Sequence, residues 1–473
     1  MGADNVHATK GERMYDTGST TFMLVCTMLV FLMTPGLAFF YGGLSRRKNV
    51  INTMLMCFGA IGLVGVLWIV AGWSLAYGGD GSSPFIGGFD QLLCLPVLNH
   101  VLQTAEGNAA DGAVYPQIIN IAFQMAFAMI TAAIVTGSLA GRVKFGATTA
   151  FLGIWLLVVY APLAHMVWGG EGSFIGDIIG ALDFAGGDVV HISSGLTGLI
   201  LCLMLGRRRG FGMVSYRPHN VPFVALGAGL LWFGWFGFNG GSVVTSESGF
   251  DLVAIGSVFM NTILSSSACA VSAMIITWVR YGKSDITMTL NGIVAGLVAV
   301  TAGADQLPHY AALLVGVGAA FVMIYGIEFI DHICKVDDPV GAISVHGLCG
   351  AFGTIMTGVF SVEKGVIYTG RFNFLGVQLI GVLSVAVYGL AAMTLLFVIL
   401  KHTVGIRVSE KAEIMGLDRS EHGWQSNVTD DLISDLSDGN AKSVTQIDLS
   451  KPIDRSAYKA CLFYTSDAAD DRI

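Results

Sequence analysis

The sequence predicts an all-α polytopic membrane protein: eleven transmembrane helices with an inverted five-helix repeat (spans 1–5 and 6–10) plus an eleventh helix. Three observations carry that expectation. The 473 residues are 54% hydrophobic and only 12% charged, with a mean hydropathy of +0.69, whereas soluble domains carry about a quarter charged residues. Eleven stretches approach the about 20 apolar residues that a bilayer crossing needs. One histidine motif also occurs twice, in the fifth and tenth of those stretches. The composition excludes other classes as well. No basic stripe marks a nucleic-acid partner, and the net charge of −8 gathers in the C-terminal tail and the links. Six of the eight cysteines (Cys26, Cys57, Cys202, Cys269, Cys334, Cys349) lie in expected spans or at their ends, and only Cys94 in an expected outer link. A disulfide framework is therefore not expected. Neither is a signal peptide, because a short polar start leads straight into a long apolar segment.

The spans fall at roughly 20–42, 50–77, 117–140, 146–168, 184–206, 222–241, 251–279, 286–303, 306–330, 340–360 and 372–400. Charge in the short links orients them, since cytoplasmic links collect Lys and Arg. Alternate links read SRRKN, GRVKF, GRRRGFGMVSYRPHN, RYGKS, DHICKVDD and KHTVGIRVSEK, and together hold fifteen Lys/Arg. The opposite links and the N-terminus hold four: Lys10, Arg13, Lys364 and Arg371. The N-terminus is expected outside and the C-terminus in the cytosol, which an odd number of spans also requires.

GGDVVHISSGLTG in the fifth span and VGAISVHGLCGAFG in the tenth both read G-x4-H-x3-G-x2-G. The first places Gly186, His191, Gly195 and Gly198; the second places Gly341, His346, Gly350 and Gly353. A repeat with five crossings must insert its second copy upside down, and such inverted repeats place a site near the midplane at the repeat interface. At 1.5 Å per residue, His191 lies roughly 10 Å from the outer face and His346 roughly 9 Å from the inner one. In a core of about 30 Å they approach each other, and the glycines permit close helix contact there. A lone histidine on an apolar helix is usually a hydrogen-bonded structural residue. Two at matched repeat positions point to function, because intramembrane ionisable groups are costly. A metal centre is not expected: there is no H-E-x-x-H and no third ligand at these depths. No cofactor is expected either.

Several longer segments resemble the ammonium transporter (Amt/Rh) family, in its bacterial Amt-type form. They are TPGLAFFYGGL (34–44), INIAFQMAFA (119–128), AHMVWGG (164–170), ALDFAGGDVVHISSGLTGL (181–199), WFGFNGGS (235–242) and DDPVGAISVHGLCGAFGTIMTG (337–358). The resemblance runs in order over about 17–427. It implies an eleven-span homotrimer in the bacterial inner membrane, embedded in lipid, with one narrow path per subunit for ammonium or methylammonium. His191 and His346 would line that path. Trp168, Ser242 and Phe127 would form an outer recruitment site, where an aromatic face attracts a small cation and the hydroxyl accepts a hydrogen bond from it. Phe127 and Phe238 would form a stacked gate beneath. Asp183 would be a supporting acidic group, and it also reads as a helix N-cap. Trp168 alone would read as an interfacial belt residue, and Phe123 with Phe127 as an apolar packing stripe.

Asp188 receives no role, His165 a structural one, and Asp337 and Asp338 are expected to cap the tenth span from the cytosol. The chain is thus divided into an extracytoplasmic segment (1–19), an eleven-span transport domain (20–400), a cytosolic regulatory tail (401–427) and an expected disordered tail (428–473). The last of these is poor in apolar residues, and 461–473 resembles translated adapter sequence rather than a biological terminus. The resemblance implies a P-II signal-transduction protein as a cytosolic partner in many bacterial relatives. It leaves the conducted species open between NH3, NH4+ and NH3 with a separately routed proton. The alternative readings are an ammonium sensor or an Rh-like gas channel; an enzyme is not expected, since no nucleophile–base pair is visible.

Overall fold

The computed structural model describes residues 16–424, apart from 80, 100, 101, 105–113, 214, 215, 247 and 248. The expected tail 428–473 and most of the expected N-terminal segment lie outside the described residues. Among the described residues ten helices are long and apolar enough to cross a membrane: Thr17–Leu44, Arg47–Tyr77, Gln117–Leu139, Phe145–Trp168, Gly187–Leu205, Val221–Thr245, Leu252–Tyr281, His309–Ile333, Ile343–Phe360 and Asn373–Thr403. A shorter apolar helix, Ile286–Thr301, occupies the place of the expected eighth span. Its 16 residues rise about 24 Å, less than the hydrocarbon thickness. Protein, not lipid, surrounds its far end: Val294 to Thr301 are all buried, and so are Ala302 and Ala304 beyond them. Turns there bond Gly303 N–H to Val300 O and Gln306 N–H to Gly303 O. Irregular backbone at membrane depth is tolerated when protein covers it.

Local chemistry starts the helices where the sequence offers carboxylates and amides. Asp16, Asn220, Asp251 and Asp285 each accept a backbone N–H from the first turn of the following helix, an arrangement that satisfies the orphan donors of a helix start. The fifth span begins at Gly187, later than its hydropathy suggests, because Gly186 holds φ at +119°. Gly341, its counterpart in the second repeat, holds +77° just before the tenth span. Each of these spans then opens with one π-helical turn, Gly187–Ile192 and Ile343–Leu348. The two cross where glycine removes the side chain: a Cβ on Gly195 would stand 2.2 Å from the Gly347 nitrogen. The helix backbones therefore touch, as small residues allow in membranes.

The tail binds three of the basic links together. Lys144 N–H donates to Ile406 O and Val408 N–H to Arg142 O. Arg407 reaches Glu413, whose other oxygen accepts the Arg209 N–H. Asn49 Oδ1 accepts the Leu417 N–H, and Asp418 Oδ1 accepts the Asn52 N–H at 2.8 Å. The tail carboxylate thus caps the second span, a task that Asn49 at the helix start does not perform with its own side chain. Glu421 accepts the Phe145 N–H at the start of the fourth span.

The structure divides the two acidic residues expected to cap the tenth span. Asp338 does so, accepting the Ile343 N–H at 2.8 Å. Asp337 does not. It pairs with Arg142, which is wholly buried, at 3.1 Å and with Arg208 at 2.6 Å. Arg142 also donates to the carbonyls of Ser138, Gly206 and Asp337. A guanidinium with no access to water requires a counter-charge more than the helix end requires a second cap. Burial works against the Asp337 charge, but the Arg208 hydrogen bond and the charges of Arg208 and Arg142 outweigh it and hold the carboxyl below its ordinary 3.8.

Its contribution to stability is therefore present above pH 3.8 and is lost as pH falls below it. Asp337→Asn is expected to cost about 3–5 kcal/mol by leaving a buried charge without its partner. Thermal unfolding in detergent should show a lowered Tm at pH 7, and the variant should lack the parental fall in Tm below about pH 4. An unchanged Tm at pH 7 would remove the cluster from the account of stability.

Candidate functional site

The two spans that cross at Gly195 bring His191 and His346 together. Their Nδ1 atoms lie 3.2 Å apart and their rings stack at a centroid distance of 5.3 Å, tilted by 24°. Both are buried, at 1% and 3% exposure. One Nδ1 must donate and the other accept, so the rings hold complementary tautomers. Two imidazolium rings would set N–H against N–H, so the pair holds at most one positive charge.

The chain geometry before each histidine repeats. Asp183 precedes His191 by eight residues and Asp338 precedes His346 by eight. Asp183 accepts the N–H groups of Gly186 and Gly187 on one oxygen, at 2.8 and 2.7 Å. On the other it accepts those of Asp188 and Val189, at 2.8 and 3.0 Å. Both carboxyls thus anchor the start of a span, from opposite faces, and fix the turn that presents an imidazole.

On the side away from the basic links, aromatic rings lead to His191. Phe238 lies 6.0 Å from the His191 ring and stacks on Phe127 at 4.0 Å with a 17° tilt. Trp168 meets Phe127 edge-on at 6.1 Å, and its Nε1–H donates to Asp183 O at 2.7 Å. Asp183 therefore fixes both the helix start, through its side chain, and the indole, through its carbonyl. Ser242 stands one turn beyond Phe238, and its Oγ donates to Phe238 O at 2.8 Å, which leaves the oxygen lone pairs as acceptors. Phe123 lies 4.8 Å from Phe127. The residues singled out from sequence as gate and recruitment groups, Phe127, Phe238, Trp168 and Ser242, thus form one column above the histidines.

His165 stands apart from that column. Its ring nitrogens each lie 2.9 Å from a backbone carbonyl, of Ala76 and of Ser83, so it ties the second span to the link that follows. Trp235 was not singled out, yet it stacks on His191 at 5.4 Å and 18°, with its Nε1–H donating to Thr301 Oγ1 at 2.9 Å. A signal for it existed: Trp235, Phe238 and Ser242 follow i, i+3, i+7 spacing, and so share one helix face.

The rings enclose a lumen of about 10 Å³, lined by Met33, Leu37, Ile130, Ile134, Leu231, Val294 and the two histidines with Trp235 and Phe238. That volume sits at the threshold for a single water molecule. A separate cavity of about 500 Å³ lies at the basic face, lined by Tyr216, Arg208, Asp331, Asp338 and Ser344 among others. Among the described residues no group of three or more His, Cys, Asp or Glu side chains is placed to hold a metal ion.

Comparison with known proteins places the sequence and the fold. Residues 21–427 match the model of the Ammonium Transporter Family. The chain belongs to the ammonium transporter family. It is 38% identical over 434 residues to an ammonium transporter of Mycobacterium tuberculosis, spanning 86% of this chain and 89% of that one. It is 39% identical over 422 residues to an ammonium transporter of Aquifex aeolicus, spanning 88% and 95%. Among solved structures it resembles a protein titled Sensor Amt Protein, with a TM-score of 0.76, 28% identity and coverage of 85% and 98%. Mep2 of Candida albicans gives 0.73, 28%, 84% and 87%. The family is one of transporters, and the many apolar helices make this member a multi-pass membrane protein.

Proposed function

We propose that this ammonium transporter family member recruits NH4+ beside Trp168, Phe127 and Ser242, passes it beneath the Phe127–Phe238 stack, and conducts it along His191 and His346. The observation that carries the reading is the Nδ1–Nδ1 contact of two buried histidines at the end of an aromatic column, in a lumen too narrow for a hydrated ion. Ammonium cannot enter hydrocarbon as a bare charge without a large desolvation cost. A neutral imidazole offers one donor and one acceptor, so the pair can replace lost water or take up a proton and return it. NH3, NH4+ and NH3 with a separately routed proton are all species such a thread can serve. Hydrated metal ions would be refused by the apolar Phe127–Phe238 gate above the pair, where nothing replaces their water.

Trp168, with its ring edge towards Phe127 and its N–H committed to Asp183, presents a face to which a small cation is attracted by about 1–2 kcal/mol when partly desolvated. Asp183 supports that site through its carbonyl and its buried negative charge. The assembly proposed is a homotrimer in the bacterial inner membrane, each subunit with its own pore, methylammonium being a second substrate. The N-terminus lies outside, so the basic face and its tail lie in the cytosol, where a P-II signal-transduction protein would dock.

Replacing His191 and His346 together with Ala should abolish ammonium flux into proteoliposomes, or lose its selectivity over K+, while the assembled protein remains monodisperse. Parental flux with K+ still excluded would make the pair structural. Trp168→Leu should raise the half-saturating ammonium concentration by about tenfold, the equivalent of 1.4 kcal/mol; unaltered kinetics would leave Trp168 as an interfacial residue. A reporter fused after Gly423 should be active only in the cytosol. Activity on the outer side would overturn the orientation.

A further inference from the structure

Asp188 lies in the first turn of the fifth span, three residues before His191, and is fully buried. It belongs to neither the aromatic column nor the lumen lining. Thr354 Oγ1 of the tenth span donates to its Oδ1 at 3.0 Å, and among the described residues its Oδ2 has no partner. The eleventh span passes beside that oxygen: a Cβ on Gly381 would lie 3.9 Å from it. Gln378, nearly one turn earlier on the same helix, has no donor to spare. Its Nε2 donates to Leu182 O and to Thr354 O, while its Oε1 accepts the Leu182 N–H. No Lys or Arg meets either oxygen of Asp188 among the described residues. The titratable neighbours are Asp183 and His191, on its own stretch of chain.

The comparison with Asp183 is direct. Asp183 holds four backbone N–H groups on its two oxygens, and one of them is the N–H of Asp188 itself. A nest of this kind meets a full negative charge. Asp188 has one hydroxyl donor and a neighbouring carboxylate. Ionised, it would be a second negative charge within the same turn, without a counter-ion, at membrane depth. Such a charge is expensive to bury, and two adjoining carboxyls do not both ionise readily. A proton on Oδ2 removes the charge and leaves only the smaller cost of an unpaired hydroxyl.

We propose that Asp188 is a proton-binding site: a neutral carboxylic acid behind the pore wall, so that the Asp183–Asp188 pair carries one negative charge and one proton. The ligand of the site is H+, bound at Oδ2, with Oδ1 held by the Thr354 hydroxyl. The field that a cation meets at the mouth of the pore is then that of one carboxylate. The inference rests on local geometry alone and stands whether or not the histidines conduct.

Infrared spectroscopy of the reconstituted full-length protein tests it. The C=O stretch of a protonated carboxyl should be present at pH 7 and shift in D2O. It should persist in His191→Ala and lose the Asp188 component in Asp188→Asn. A second measurement does not depend on band assignment. On unfolding at pH 7 the side chain becomes exposed and ionises, so the parent should release about one more proton per chain than Asp188→Asn, read with an indicator dye in weak buffer. Equal proton release from the two proteins, or a carboxyl band unaltered in Asp188→Asn, would overturn the proposal. Size-exclusion chromatography of the variant, matching the parent, shows that the comparison is made on folded protein.

Discussion

The contact between His191 and His346 is the constraint on which the rest of the structure depends. Two side chains that sit early in their own helices can meet near the middle only if those helices enter from opposite faces. That requirement explains the inverted repeat, the late helix starts behind Gly186 and Gly341, and the carboxyls of Asp183 and Asp338 that satisfy the freed N–H groups. It also explains why a side chain at Gly195 has no room. The π-helical turns at Gly187–Ile192 and Ile343–Leu348 belong to the same solution. A wider turn rotates the imidazole relative to the helix that follows, and single π turns recur at functional sites.

The column above the pair follows from a different balance. A ring face is apolar to water yet attractive to a cation, so stacked rings can exclude the solvent while tolerating the solute. Phe127 and Phe238 lie nearly parallel at 4.0 Å, which leaves no opening between them in this structure. On the path proposed above, passage would require a side-chain rotation, with Phe123 packed at a tilt against Phe127.

Much of this was legible in the sequence, for identifiable reasons. Long apolar runs report spans without any knowledge of tertiary contacts, because lipid imposes the same demand on each. The eighth span was the least regular in outcome because its far end is covered by other parts of the chain, and hydropathy does not register who the neighbour is. The histidines stood out as ionisable groups in apolar surroundings at matched spacing. Phe127, Phe238 and Ser242 were legible only through the resemblance, since phenylalanine in a membrane helix is ordinary. Asp337 was misread as a cap because Arg142, nearly two hundred residues earlier, looks like one more basic link residue; nothing local says that it is fully buried. Trp235 went unremarked for the opposite reason: it lay inside a recognised motif, and its stacking on His191 depends on where the fifth span lands.

The hydrogen bond from the Asn52 N–H to Asp418 spans 366 residues of chain. During synthesis the second span emerges early and Asp418 only after all the spans. Until then the start of that helix has its exposed N–H groups satisfied only by water, and Asn49, whose side chain later receives the Leu417 N–H, has nothing to receive. A chain interrupted before Asp418 would possess every membrane span and still lack the cap that closes the start of its second one.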